Sequence, residues 1–150
     1  MPIKRDKSLQ PLSRDHHHGL MLCWKIRTGM KKGIEINRMK RYTDWFFKNH
    51  AEPHFKAEED YIFPILGMEH ELISRAMEEH ERLAMLFNDV EDIEKSLNLL
   101  AEELEKHIRF EERVLFNEIQ KIATREQLDV VDEHHHEQPF IENTEDEFWK

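Results

Sequence analysis

The sequence predicts an all-α protein, an up-down-up-down antiparallel four-helix bundle with a short extra C-terminal helix and tail. Three observations predict it. Breakers are scarce, with four glycines and five prolines in 150 residues, and the chain is rich in Glu, Lys, Leu and Met, which favour helix. Apolar residues recur at three- and four-residue spacing over long segments separated by short connections. No segment reads as a strand.

Residues 1–10 are polar and basic, and an extended lead-in is expected there. A first helix opens near Ser13, a good N-cap, and runs to about Thr28, where Gly29-Met30-Lys31-Lys32-Gly33 ends it. The second spans about Ile34 to Ile65. Pro53 must kink or split it, and Pro64 and Gly67 close it. The third covers about Glu69 to Val90 and carries the stripe Ile73, Ala76, Met77, Leu83 and Phe87. The fourth covers about Ile93 to Ile122, with Leu97, Leu100, Leu104, Ile108, Leu115 and Ile119 in register. A fifth begins at Thr124, where Thr124-Arg125-Glu126-Gln127 forms a capping-box pattern. After Pro139 the acidic, aromatic tail Glu145-Asp146-Glu147-Phe148-Trp149 matches no periodic pattern. The length suits a single domain over 1–150, with the bundle over 12–122 and the helix and tail over 123–150.

Charge and cysteine content narrow the function. Asp and Glu number 32 against 22 Lys and Arg, a formal charge of −10. That argues against nucleic acid or anionic lipid as the main partner. Carboxylates gathered around a cation would also produce an acid excess. Cys23 is the one cysteine, so intrachain disulfides and thiolate metal clusters are excluded, and buried packing is its expected role. No stretch approaches the ~20 apolar residues of a membrane span, and Met1-Pro2-Ile3-Lys4-Arg5-Asp6 lacks a signal-peptide core, so a cytoplasmic protein is expected. No Gly-rich cofactor loop and no nucleophile motif is present.

Histidine is the abnormal residue, with 11 copies. Residues 54–63 read His-Phe-Lys-Ala-Glu-Glu-Asp-Tyr-Ile-Phe, and residues 107–116 read His-Ile-Arg-Phe-Glu-Glu-Arg-Val-Leu-Phe. The two copies fall on helices two and four. His54 and Glu58, like His107 and Glu111, are four apart, which puts imidazole and carboxylate on one face, a turn apart. Nitrogen and oxygen ligands without thiolate suit iron or manganese, and in some geometries zinc. A single such pair is ordinary helix-surface charge. Two matching copies, each followed by apolar residues and Phe, are not, because buried His and Glu without partners are costly and a cation supplies the partner.

His80, in phase with Ile73, Met77, Leu83 and Phe87, can point inward on helix three. On helix one, His16 continues the stripe Leu12, Leu20, Cys23, while His17 continues Leu20, Met21, Trp24. Both are candidates, with His16 preferred and His18 left to solvent. His50 suits a polar supporting role at the rim. The run His134-His135-His136 does not repeat the pattern. Glu59 and Glu112 either rival Glu58 and Glu111 as oxygen ligands or orient the imidazoles.

Over about residues 12–120 this pattern resembles the hemerythrin-like, or HHE cation-binding, family, with a His on helix one, His-x-x-x-Glu on helices two and four, and a His on helix three. The resemblance implies two non-haem iron ions, with manganese or zinc as substitutes. His16 (or His17), His54, His80 and His107 would supply nitrogen, and Glu58 and Glu111 bridging oxygen. Oxygen-carrying members have two His four apart on helix three, whereas here Ala76 precedes His80. One ion therefore has one fewer imidazole, leaving a position for water, a carboxylate such as Glu79, or an exogenous ligand. The function implied is binding or reaction with a small oxidant, namely dioxygen, peroxide or nitric oxide. The alternative is an iron- or redox-responsive module whose C-terminal tail engages a protein partner.

Overall fold

A computed structural model describes residues 4–134 and 140–150. Five helices make up the described chain: α1 (Gln10–Lys32), α2 (36–66), α3 (Glu71–Asn88), α4 (93–122) and α5 (Arg125–His134). No strand occurs among the described residues.

α1 begins three residues before Ser13. A short turn, Lys7–Leu9, precedes it, and the Asp6 side chain accepts a hydrogen bond from the Ser8 N–H at 2.9 Å. Pro11 sits in the first turn, where no N–H partner is lost. The lead-in is anchored: Arg5 donates to Gln120 Oε1 at 2.8 Å and to the Glu112 carbonyl at 2.6 Å. Nor does Gly29 end the helix. It stays helical and buried, because a Cβ there would lie 2.4 Å from Met39 Sδ. Gly33 provides the stop, with φ of 69°, a left-handed cap that glycine adopts without strain.

α2 runs through both of its prolines. Each follows a widened π turn, Phe47–Ala51 before Pro53 and Glu58–Ile62 before Pro64. In these turns the N–H bonds to the carbonyl five residues back, Glu52 to Phe47 and Phe63 to Glu58. The wider turn relieves the clash between a proline ring and the carbonyl four residues earlier, so Pro53 does not split the helix. A third π turn, Glu111–Leu115, lies in α4 with no proline after it, and there the Phe116 N–H bonds to the Glu111 carbonyl. What the second and third turns share is the glutamate of the repeat at their first position.

The capping box of α5 forms as the sequence predicts: the Thr124 N–H donates to Gln127 Oε1 at 2.9 Å, and the Gln127 N–H donates to Thr124 Oγ1 at 3.1 Å. His70 caps α3, its Nδ1 accepting from the Leu72 N–H at 3.1 Å. The tail packs on the bundle: Phe148 and Trp149 are buried beside Tyr42 and Gly29. Lys25 Nζ, itself buried, donates to Glu142 at 2.5 Å and to the Tyr42 hydroxyl at 2.8 Å. Arg38 pairs with Asp146 at 2.7 Å. The tail's aromatic side chains are thus engaged within their own chain.

α1 and α3 both pack along α4. The interior divides into two apolar clusters. One gathers Leu22, Ile26, Phe46, Leu83, Leu100 and Ile108. The other gathers Leu12, Phe63, Ile73, Ala76, Leu115 and Phe116. Along each of α1, α3 and α4 the sequence passes from one cluster to the other. His16 and His80 lie at the crossing on α1 and α3, and His107 and Glu111 flank it on α4. Cys23 lies in the first cluster, and burial pushes its thiol up to about 12, so it packs as an apolar residue. No described helix is long and apolar enough to cross a membrane.

Candidate metal centre

His16 on α1, His54 and Glu58 on α2, His80 on α3, and His107 and Glu111 on α4 meet in the layer between the clusters. Both carboxylates are wholly buried, and each of the four imidazoles is at most 6% exposed. Helical spacing brings each His-x-x-x-Glu pair onto one inward face, and the π turn starting at each glutamate follows.

The six residues form two quartets, each with its ligand atoms within 4.8 Å of one another: His16, His54, Glu58 and Glu111, and His80, His107, Glu58 and Glu111. Each carboxylate serves both. Glu58 turns Oε2 to His54 Nε2 at 3.3 Å and Oε1 to His80 Nε2 at 3.1 Å. Glu111 turns Oε1 to His16 Nε2 at 2.8 Å and Oε2 to His107 Nε2 at 3.3 Å. All four imidazoles face the centre with Nε2.

The outer Nδ1 atoms meet four further carboxylates. Asp15 on α1 meets His54 on α2 at 3.0 Å, and Glu59 on α2 meets His80 on α3 at 2.7 Å. Glu79 on α3 meets His107 on α4 at 2.7 Å, and Glu112 on α4 meets His16 on α1 at 2.9 Å. Every acid sits next in sequence to a residue of the centre on its own helix yet serves the histidine of the next helix, so the four contacts close a ring. A carboxylate on Nδ1 fixes the tautomer that leaves Nε2 free to ligate. Aromatic packing repeats the symmetry. Phe63 lies 5.3 Å from the His80 ring and Phe116 lies 5.3 Å from the His16 ring, the two Phe being the last residues of the repeat.

The donor set fits a metal site. Both oxygens of Glu58, Oε2 of Glu111, and Nε2 of His80 and His107 are buried without a hydrogen-bond partner. They approach each other to about van der Waals contact without hydrogen-bonding geometry, as expected of atoms arranged about a common point. Orphaned buried donors and acceptors are rare because each costs about 1–3 kcal/mol, and a cation would satisfy all of them. The protonation pattern is that of a centre built for positive charge. Burial would lower the His54 imidazole, but Glu58 and Asp15 outweigh it and raise it to about 9. Burial and the Glu111 charge would raise Glu58, but His54 and His16 bring it down to about 2. His16 and His80 are likewise raised, against burial, by the carboxylates around them.

The remaining histidines separate. His17 is exposed and touches only the His18 ring among the described aromatic contacts, so it stays outside both quartets. Of the two helix-one candidates the structure brings His16 into the cluster and leaves His17 outside it, because the His16 register faces α4. His18 does not face solvent alone, since it stacks on Phe140 at 4.1 Å. His134 stacks on Tyr61 at the end of α5, and His135 and His136 lie outside the described residues. Glu79 does not fill an open ligand position: its oxygens meet His107 Nδ1 and Arg75 Nε, the latter at 2.9 Å. Sequence reasoning missed Asp15 and Glu79 as imidazole partners. The signal was there in the acid immediately before each of His16 and His80.

A pocket of about 30 Å³ adjoins the centre, touching His16, His54 and His107. Phe46, Phe55, Leu104 and Ile108 give it an apolar wall, and half-buried His18, His50 and Phe140 line its solvent side. It has room for about two water-sized molecules.

Among known proteins, the family model for the hemerythrin HHE cation-binding domain matches residues 9–96. That span carries His16, His54, Glu58 and His80, and the rest of α4 completes the cluster with His107 and Glu111. No curated protein and no solved structure matches the chain. A match over more than half the chain, on helices that converge as a cation-binding domain requires, settles the family: this protein belongs to the hemerythrin HHE cation-binding domain family.

Proposed function

We propose that the protein holds two non-haem iron ions and binds or reacts with a small oxidant, namely dioxygen, peroxide or nitric oxide. The observation that carries this reading is the pair of quartets sharing both carboxylates, with a small apolar pocket against them. The six ligands are His16, His54, Glu58, His80, His107 and Glu111, on four helices in an up-down-up-down order, which connections of three or four residues favour. Each ion would take two imidazole nitrogens and two carboxylate oxygens. With four protein donors to each ion, positions would remain for solvent or an exogenous ligand. Nitrogen and oxygen donors favour iron, with manganese and zinc as the ions that could replace it.

Held by these residues, a ferrous pair would supply the two electrons needed to take dioxygen to the level of peroxide. The chain's own residues do the rest. Glu58 and Glu111 hold the two quartets together and offset the charge of two dications. The ring of Asp15, Glu59, Glu79 and Glu112 keeps the imidazoles in their ligating tautomer. The pocket has room for molecules of two or three atoms beside the centre.

The experiment is anaerobic ferrous loading followed by separate additions of azide with oxidant, peroxide and nitric oxide, with visible spectra recorded. New absorption bands on at least one addition are expected. A protein loaded with two ions whose spectrum ignores all three would contradict the reading.

A second reading, an iron- or redox-responsive module, draws on the C-terminal segment. Its anchors Lys25–Glu142 and Arg38–Asp146 are ionic, with both carboxylates partly exposed, so a protein partner could compete for it once metal loss loosens the bundle. Limited proteolysis after Phe140 that is faster in metal-free than in metal-loaded protein is the result this reading requires.

A further inference from the structure

Among the described residues, His50 is the one that lines the pocket with a buried, unpartnered polar atom and has no place in the centre. Its Nε2 finds no hydrogen-bond partner among the described residues. The ring is packed by aromatic neighbours on several sides: Trp45 at 5.0 Å, Phe46 at 5.4 Å and Phe140 at 4.6 Å. None of these hydrogen-bonds the nitrogen. Burial also holds the imidazole below its ordinary pKa, so it is a neutral group that hydrogen-bonds rather than a charge. An unpartnered polar atom on a residue that lines a cavity has the cavity's contents as its available partner. The same pocket is also lined by His16, His54 and His107.

We propose that His50 hydrogen-bonds, through Nε2, a small polar molecule held in the pocket against the metal centre, with Phe140 of the C-terminal segment closing the pocket beside it. The inference rests on the di-iron reading above and deepens it, by giving the site a preference for ligands that accept or donate a hydrogen bond, such as peroxide, azide or water. Nitric oxide, a poor hydrogen-bonding partner, gains little from the same contact. Phe140 lies beyond the span of the family match, so this wall of the pocket belongs to the chain's own C-terminal segment.

The test compares His50→Leu, which keeps bulk but removes the nitrogen, with His50→Gln, which can place an amide nitrogen near the same point. Azide and nitric oxide dissociation constants are measured on iron-loaded protein, iron per chain is quantified, and melting temperatures are measured on metal-free protein. Loss of one hydrogen bond to an anion should weaken azide binding of the Leu variant about tenfold or more. The Gln variant should recover most of that loss, and nitric oxide affinity should change by less than about twofold. The metal-free Leu variant should melt no lower than wild type, because removing an unpartnered nitrogen from an aromatic surround costs nothing. Unchanged azide affinity, a parallel loss for azide and nitric oxide, or a lowered melting temperature overturns the assignment. Wild-type protein that takes up no iron would instead overturn the di-iron reading, and the assignment of His50 with it.

Discussion

His54 and Glu58 set the chemistry of single residues in this centre. The imidazole is raised to about 9, burial opposing and Glu58 and Asp15 prevailing, and the carboxylate is brought down to about 2. A raised pKa means that folding takes up a proton. The His54 contribution is complete below its ordinary 6.5 and is lost as pH rises through about 9. Glu58 contributes above its ordinary 4.5 and loses that contribution as pH falls through about 2. Metal-free protein should therefore melt at a lower temperature at about pH 10 than at about pH 6, and a flat profile between them would contradict the imidazolium pattern. Since ligating imidazoles must be neutral, metal uptake should release protons, read with an indicator dye in weak buffer. The outer acids give a second prediction. Asp15→Asn and Glu79→Gln should each lower metal affinity about 10–100-fold by chelator competition, while far-ultraviolet circular dichroism stays unchanged. Unaltered affinity in both would remove the ring from the account.

Among the elements, α3 and α4 are where local pattern and structure agree best, since their apolar stripes alone define which face is buried. α1 and α2 depart for reasons that local pattern does not carry. Gly29 looks like a breaker, but it is a contact point, and what it contacts, Met39 and Phe148, comes from elsewhere in the chain. Pro53 looks like a break within the helix, but the π turn before it absorbs the ring, and the helix ends at Leu66 before Gly67, close to where Pro64 and Gly67 place its end. The His16 and Glu111 pairing depended on how α1 meets α4, so the stripe on α1 left His16 and His17 both open. The tail shows the same limit, as Phe148 finds its pocket only once α1 and α2 are packed. Gly29→Ala tests this: overpacking against Met39 and Phe148 should cost about 1–3 kcal/mol, beyond any gain in helix propensity. A variant as stable as wild type by urea denaturation would show that the tail contact yields freely.

For the molecule as a whole, the polar layer between two apolar clusters is the feature that a cation best explains. Four helices each place a histidine in it, and the two buried carboxylates have no other partner for several of their oxygens. Removing metal should lower the melting temperature and raise hydrogen exchange in α2 and α4 around the two glutamates, where the π turns already loosen the ladder. The repeated His-x-x-x-Glu was legible from spacing alone, since four residues is one helical turn. The cross-helix ring was not, because each of its contacts joins residues at least 21 apart in sequence.

The most direct measurement is the number of metal ions per chain after anaerobic ferrous loading and desalting, for wild type and for His80→Ala and His16→Ala, by elemental analysis. Two shared quartets predict about two irons per wild-type chain and a loss of at least one in each variant. Wild type with no bound metal, or variants that keep the full wild-type complement, would contradict the account.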